Sequence, residues 1–264
     1  MQNRTPADPA PSVAGSEPSA HAGLLQEIAA ARREGRVAAI AAEALPARLE
    51  TAYALALAGL APEQVAGWKI GGANPWSQAA FGNDEPFFGA LLEGEVFVGA
   101  GALALTGLVS PLAEPEVMLE LADLPDAGGR ARFSRMALGF EIPASVLNAE
   151  AKARLTGQVV DRAGAGLLWI GPPRPFEAQA LEGLAVRFGK SDESRSEGSV
   201  ANVIGHPLGA AQAMMKVALR HGAPLRAGQW IATGGLCRAL PVGTGDSLVL
   251  DSDFGRLTLR FGPA

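Results

Sequence analysis

The sequence predicts an α+β chain. Helices are grouped near its start, strands run through most of the remainder, and one further helix interrupts them. Three observations carry this expectation. Residues 24–36 and 46–60 place apolar side chains at helical spacing. From Trp68 onward the texture changes to short apolar stretches separated by glycine-rich turns. The 33 glycines among 264 residues are scattered rather than periodic, which favours tight turns over a repeat.

Taken in order, Leu24 to Arg36 reads as the first helix and the Ala- and Leu-rich stretch over 46–60 as the second, with Pro62 opening the break after it. Gly94–Gly99, Val117–Leu121, Gly166–Gly171, Leu184–Gly189 and Gln229–Thr233 read as strands. A helix is expected from about Pro207, suited to a first helical position, to Gly222, suited to a C-cap. Its apolar face is expected at Leu208, Ala211, Met215, Ala218 and Leu219. Ser247–Asp251 and Arg256–Phe261 flank a polar, Gly-containing turn and so form a hairpin.

Composition narrows the function classes. Lys+Arg 22 against Asp+Glu 27 gives a net charge of −5, which offers no general attraction to nucleic acid or an anionic membrane. No apolar run approaches the roughly 18 residues of a membrane span. Cys237 is the only cysteine, so no intrachain disulfide forms, and a reducing, cytoplasmic setting is the expected one. Residues 1–23, rich in Pro, Ala and Ser, read as a flexible tail. Residues 24–264 read as a single catalytic domain with a helical N-terminal part.

The chemistry concentrates in carboxylates. Glu114 and Glu116 flank Pro115, and in an extended chain they point to one face. Glu141 follows inside the apolar run from Met136 to Pro143, where a lone carboxylate is expensive unless paired or bound to a metal. Three carboxylates without a Cys or His ligand suit a hard divalent cation, Mg²⁺ or Mn²⁺. A solvated strand edge is the alternative for the Glu-x-Glu pair. Lys69 is a candidate to anchor a substrate carboxylate or move a proton, with a lowered pKa expected from partial desolvation. A snorkelling surface lysine is its alternative. Gly71 and Gly72 beside it suggest close backbone approach.

Asp161 is a candidate to accept a hydrogen bond from substrate or activate water, with a turn cap as the alternative. Arg162 is a candidate partner for Asp161 or for a second anionic group, as is Arg238 for the latter. Thr233, ahead of Gly234 and Gly235, can present a hydroxyl to a ligand or simply close a strand. His206 is expected to be structural, His221 to cap a helix C-terminus, and Cys237 to be a buried, inert thiol.

Several short blocks occur in a particular order: Gly67-Trp-Lys-Ile-Gly71, Pro86-Phe-Phe-Gly-Ala-Leu91, Glu114-Pro-Glu116, Phe140-Glu-Ile-Pro143, Gly205-His-Pro-Leu208 and Leu225-Arg-Ala-Gly228. Thr233-Gly-Gly235, Pro241-Val242 and Gly245-Asp246 follow. This series resembles the 2-keto-4-pentenoate hydratase / 4-oxalocrotonate decarboxylase family of the fumarylacetoacetate hydrolase superfamily, from about residue 24 to the C-terminus.

The resemblance implies a mixed, mostly β fold of the fumarylacetoacetate hydrolase C-terminal-domain type with flanking helices. It implies Mg²⁺ or Mn²⁺ on Glu114, Glu116 and Glu141, Lys69 beside the substrate, and Asp161 in place of the first member of the family's Asp-Asn pair. A small 2-oxo acid is the implied substrate and a homo-oligomer the implied assembly. Arg162 replaces the Asn of that pair, and Ala73-Asn74 stand where Thr-Ser is common. The activity implied first is hydration of a short 2-hydroxy-2,4-dienoate or 2-oxo-enoate. Decarboxylation of a 4-oxalocrotonate-type acid and C–C hydrolysis of an acylpyruvate are the alternatives, and a small-molecule-binding relative without catalysis is the reading from another class.

Overall fold

The computed structural model describes residues 21–99 and 101–263. The expected tail lies outside the described residues up to residue 20, and Ala22 and Gly23 already belong to the first helix, α1 (Ala22–Glu34). Leu24, Ile28 and Ala31 bury one stripe of α1, and Gly35 ends it in the left-handed conformation. The second helix, α2 (Leu49–Leu57), is shorter than the sequence suggests: Arg48 is extended before it, and the backbone leaves the helix at Ala58. Strand β1 (Val65–Gly71), helix α3 (Pro75–Phe81), β2 (Phe87–Leu92), β3 (Val96–Val98) and β4 (Ala102–Ala104) follow. Two ten-residue strands come next, β5 (Leu112–Leu121) and β6 (Phe133–Ile142).

Short helices α4 (Ala149–Lys152) and α5 (Leu155–Val160) lead to β7 (Leu167–Ile170), β8 (Arg174–Pro175), β9 (Ala185–Lys190) and β10 (Ser196–Ser199). Helix α6 (His206–Arg220), β11 (Trp230–Gly235), β12 (Leu240–Pro241) and the hairpin β13 (Ser247–Ser252) and β14 (Gly255–Gly262) complete the chain. The five strands and the hairpin expected from sequence are all present, and the expected α6 begins one residue before Pro207. Its buried face is not quite the expected one: Ala210, Ala211, Met214, Met215 and Ala218 are inside, whereas Leu219 is 40% exposed.

The strands form two sheets. The larger runs β2-β1-β11-β5-β6-β7-β3, with β12 added to β5 and β8 to β6. The smaller runs β10-β9-β13-β14-β4. Phe140 of the large sheet meets Phe188 of the small one with ring centroids 5.7 Å apart, so one apolar core joins them. The centre of the large sheet is buried on both faces. Val117, Leu119 and Leu121 enter the main core, while Met118 packs with Ala137 and Ala232 on the other side. This is why Val117-Met-Leu119 within β5 is an unbroken apolar run and not an alternating one.

Register places the polar residues. Lys69 pairs with Ala232, Ala232 with Met118, and Met118 with Ala137, forming one row across four strands. Directly paired residues share a face, so Lys69 lies on the same side as Met118 and, two and four positions along β5, Glu116 and Glu114. Glu141 stands directly opposite Glu114 and therefore shares that face.

Candidate active site

The register brings Glu114, Glu116 and Glu141 together: each offers an oxygen within 4.8 Å of the others. Glu116 and Glu141 are fully buried and Glu114 half-buried. The solvated strand edge is thereby ruled out for this Glu-x-Glu pair. Such a concentration of negative charge is costly away from water. Burial, then repulsion from Glu141, pushes the Glu114 carboxyl up to about 7. Burial and the charges of Glu141 and Glu114 hold Glu116 well above the usual carboxylate range. Glu116 Oε1 and Glu141 Oε2 accept no hydrogen bond. Orphaned buried oxygens on two of three convergent carboxylates fit a hard divalent cation, which would satisfy them and offset the charge of all three.

One carboxylate oxygen is held by the backbone. The register between β11 and β5 shifts between Ala232 and Gly235, and the displaced Gly234 N–H donates to Glu116 Oε2 at 2.7 Å. Gly234 has φ +116°, a conformation side chains rarely permit, so glycine is required here. Thr233 is fully buried and donates its hydroxyl to the Val117 carbonyl at 2.9 Å. The Thr-Gly-Gly segment thus braces Glu116, and the Thr233 hydroxyl is not among the groups lining the cavity.

Lys69 Nζ lies 2.9 Å from Glu141 Oε1, and its side chain is only 8% exposed. It is not a snorkelling surface residue. The expected lowering of its pKa is also not found: burial pulls it down, but the charges of Glu141 and Glu114 more than offset this, and the ammonium is held above its ordinary value.

Lys69 and Glu114 open onto a cavity of 340 Å³. Gly71 and Gly72 line it, and a side chain on Gly71 would meet the Phe87 ring at 2.2 Å. Ile70, Trp76, Phe81, Phe87 and Leu112 supply apolar wall. Asn74, Ser145, Lys152, Gln158 and Arg238 line it too, and of these only Arg238 stood out in the sequence as a substrate contact. Asn74 donates to the carbonyls of Gly235 (2.7 Å) and Asn202 (3.0 Å), tying the start of α3 to β11. A larger, more open depression of 620 Å³ over the small sheet, lined by Arg187, Glu197 and Asp251, contains none of the candidate residues.

Asp161 and Arg162 sit behind the cavity wall. Asp161 is fully buried. It accepts hydrogen bonds from Arg32 Nη2 (2.6 Å), the Ser145 hydroxyl (2.7 Å) and the Val146 N–H (3.2 Å). Its route to the cavity is through Ser145. Arg162 does not pair with Asp161 and does not reach the cavity. Its guanidinium is bidentate to Glu95 at 2.7 and 2.9 Å and also donates to the Ala90 carbonyl. The physical cause is a left-handed turn: Arg162 (φ 53°) and Ala163 (φ 55°) occupy a region that costs non-glycine residues about 1–3 kcal/mol each. The turn aims Ala163 and Gly164 at the cavity and the Arg162 side chain away from it. Because Arg32 compensates a fully buried carboxylate, Arg32→Ala is expected to cost about 3 kcal/mol. A lowered urea midpoint at unchanged m-value would report it.

The remaining candidates are structural. His206 Nε2 meets the Leu181 carbonyl at 3.2 Å. His221 does not act as a charged cap: its ring stacks on Tyr53 at 4.1 Å, and burial lowers its pKa. Burial, reinforced by Glu114, pushes the Cys237 thiol up to about 12, so it is protonated and inert. No described helix is long and apolar enough to cross a membrane.

No family model matches the chain. The chain is 30% identical to a 2-keto-4-pentenoate hydratase of Burkholderia vietnamiensis over 187 residues, 66% of this chain and 69% of the relative. It is also 30% identical to 2-keto-4-pentenoate hydratase 1 of Dechloromonas aromatica over 198 residues, 72% of this chain and 74% of the relative. Its fold matches that of 4-oxalocrotonate decarboxylase from Pseudomonas putida G7, complexed with magnesium and adipate, with a TM-score of 0.80 at 21% identity, covering 94% of this chain and 98% of the other. On its identity to relatives it spans for most of their length, the chain belongs to the 2-keto-4-pentenoate hydratase / 4-oxalocrotonate decarboxylase family of the fumarylacetoacetate hydrolase superfamily.

Proposed function

We propose that the chain is a divalent-metal-dependent hydro-lyase that adds water to a short 2-hydroxy-2,4-dienoate or its 2-oxo-enoate tautomer, using Mg²⁺ or Mn²⁺. The observation that carries this reading is the convergence of Glu114, Glu116 and Glu141 beside Lys69 on one face of the large sheet. The hydratase relatives support the choice of reaction. When bound, the cation supplies positive charge that lowers the cost of developing charge on the oxygen at C2. Glu116 and Glu141 would hold it from the buried side, and Glu114 from the side that borders the cavity.

Lys69, charged and beside Glu141, is placed to pair with the substrate carboxylate and to hold a proton close to the reacting carbons. The walls formed by Ile70, Phe81, Phe87 and Leu112 cover an apolar carbon chain and limit bulk water around it. For 2-hydroxypenta-2,4-dienoate, the 2-hydroxyl loses its proton as C5 gains one, giving the 2-oxo-3-enoate. The oxygen of water then bonds C4 while C3 takes a proton. The sum is one added water. Asp161, through Ser145, fixes the wall that borders this path and acts as a positioning group.

With Mg²⁺ or Mn²⁺ present, the protein is expected to deplete the ultraviolet absorbance of this conjugated dienol, and a chelator is expected to stop the reaction. A dienol that persists while a 4-oxalocrotonate-type diacid releases CO₂ would replace hydration with decarboxylation. Full turnover in excess chelator would remove the metal from the mechanism.

A further inference from the structure

Phe87 borders two cavities at once. It lines the 340 Å³ cavity beside Lys69, and it also lines a second cavity of 440 Å³, walled by Leu49, Tyr53, Pro86 and Leu155. Among the described residues Phe87 alone lines both. The partition between them is thin. Gly72 stands on the first side and Asn83 on the second, and the Asn83 amide donates to the Gly72 carbonyl at 3.1 Å. Phe81 and Gly82, consecutive in the chain, likewise face opposite sides. So do Gln158 and Leu155, about one turn apart on α5.

The Phe87 ring is held in place. Phe87 pairs with Gly71 across β1 and β2, and its ring fills the space that a Gly71 side chain would need. Phe81 meets it edge-on, with ring centroids 5.5 Å apart, and Phe87 is only 2% exposed. Register sets its place along the cavity. Lys69 pairs with Gly89, so Phe87, two residues from Gly89, shares the face of Lys69 and lies about 7 Å further along the strands. A ligand whose acid group pairs with Lys69 and whose carbon chain follows the apolar wall meets this ring. The space behind the ring differs in charge from the first cavity. Its lining holds no Lys, Arg or His among the described residues, and Asp84 and Glu85 carry its charge. Leu49, Tyr53 and Leu155 offer apolar surface there. Such a space suits an uncharged alkyl chain and repels a carboxylate.

We propose that Phe87 is a specificity-determining residue that sets the chain length of the substrate. Its ring closes the apolar end of the substrate cavity, holds the 2-oxo acid to a short carbon chain, and shuts off the second cavity, into which a longer alkyl chain would extend. The proposal rests on reading the cavity beside Lys69 as the substrate site. It specifies which acids are accepted rather than the reaction.

The test uses 2-oxopentanoate and 2-oxononanoate, which differ only in the length of an uncharged chain. Neither has the double bond that hydration requires. Each is titrated calorimetrically into the full Mg²⁺-loaded chain. The unaltered protein is expected to bind the short acid at least about tenfold more tightly, the lower end of the discrimination that one misfitting methylene gives in an apolar pocket. Phe87→Ala is expected to reverse that order, because loss of the ring joins the two cavities. Phe87→Leu is expected to narrow the preference without reversing it, which keeps the assignment testable if the alanine variant does not fold. Phe88→Leu removes a ring at the next position, where it packs on Tyr53 and Trp68 and lines neither cavity, and is expected to keep the preference for the short acid. Equal affinities in the unaltered chain, or a preference that survives in the folded Phe87 variants, would overturn the proposal. So would an equal loss of preference in Phe88→Leu, or failure of both acids to bind. These titrations do not depend on consumption of the dienol, so a failed hydratase assay and a failed chain-length test remain distinguishable.

Discussion

Glu116→Gln is expected to stabilise the metal-free chain at neutral pH while removing its response to Mg²⁺ and lowering turnover by at least about 10²-fold. The activity figure follows from metal sites in general, where altering even an outer partner of a ligand costs about 10- to 100-fold. The stability sign is less usual. Glu116 is fully buried, and burial with the charges of Glu141 and Glu114 raises its pKa. An acid whose pKa is higher folded than unfolded binds more protons in the folded state, so stability falls as pH rises through that interval. Glu114, raised from 4.5 to about 7, acts in the same direction.

The metal-free chain should therefore gain stability as pH is lowered from about 7 toward 4.5. Carboxylates depressed by arginine, such as Glu27 at about 2, begin to oppose this only at lower pH. Glutamine removes the contribution of Glu116 to the slope and can still accept the Gly234 N–H. Thermal unfolding with and without Mg²⁺ across this range reads both effects. A metal-free variant markedly less stable than the parent at pH 7 would show that Glu116 is a structural carboxylate with no need of a cation.

Lys69→Met is expected to lower dienol turnover by about 10²- to 10⁴-fold, the range of a positioned acid–base group. The sequence alone suggests little effect on folding, as for a partly exposed lysine. The 8% exposure of the side chain and its 2.9 Å contact with Glu141 change that expectation. Without Lys69 no cation among the described residues compensates the three carboxylates in the metal-free chain, so its melting temperature should fall. Mg²⁺ should restore most of the loss, because the cation offsets the same charge. Lys69→Arg should fold like the parent but turn over poorly, since a guanidinium does not release a proton. Near-normal turnover by Lys69→Met, once Mg²⁺ has restored its stability, would confine the lysine to a structural role.

The parts of the molecule governed by local chemistry were legible in the chain. The period of two in an extended strand puts Glu114 and Glu116 on one face, and a carboxylate amid Phe140 and Ile142 signals a cost that must be compensated. Pro207 and Gly222 bracket α6, and the hairpin of β13 and β14 follows from alternation around a turn. Where local pattern meets packing, the structure differs: Leu219, expected on the apolar face, is 40% exposed, because the sheet beneath α6, and not the helix period alone, sets the limits of its buried face.

What only the tertiary structure decided was the partner of each charge. Arg32 meets Asp161 across 129 residues of chain, and Glu95 meets Arg162 across 67. Thr233 spends its hydroxyl on Val117, and Lys69 reaches Glu141 through a register running over four strands. Sequence shows that a side chain carries a charge or a hydroxyl. It does not show which opposite group lies a few ångströms away, and in a low-dielectric interior that neighbour sets the pKa, the orientation and the role. Arg162 and Arg238 look equivalent as candidate anion partners in the chain. A left-handed turn sends one to Glu95 behind the wall, and the other lies over Trp76 in the lining of the cavity.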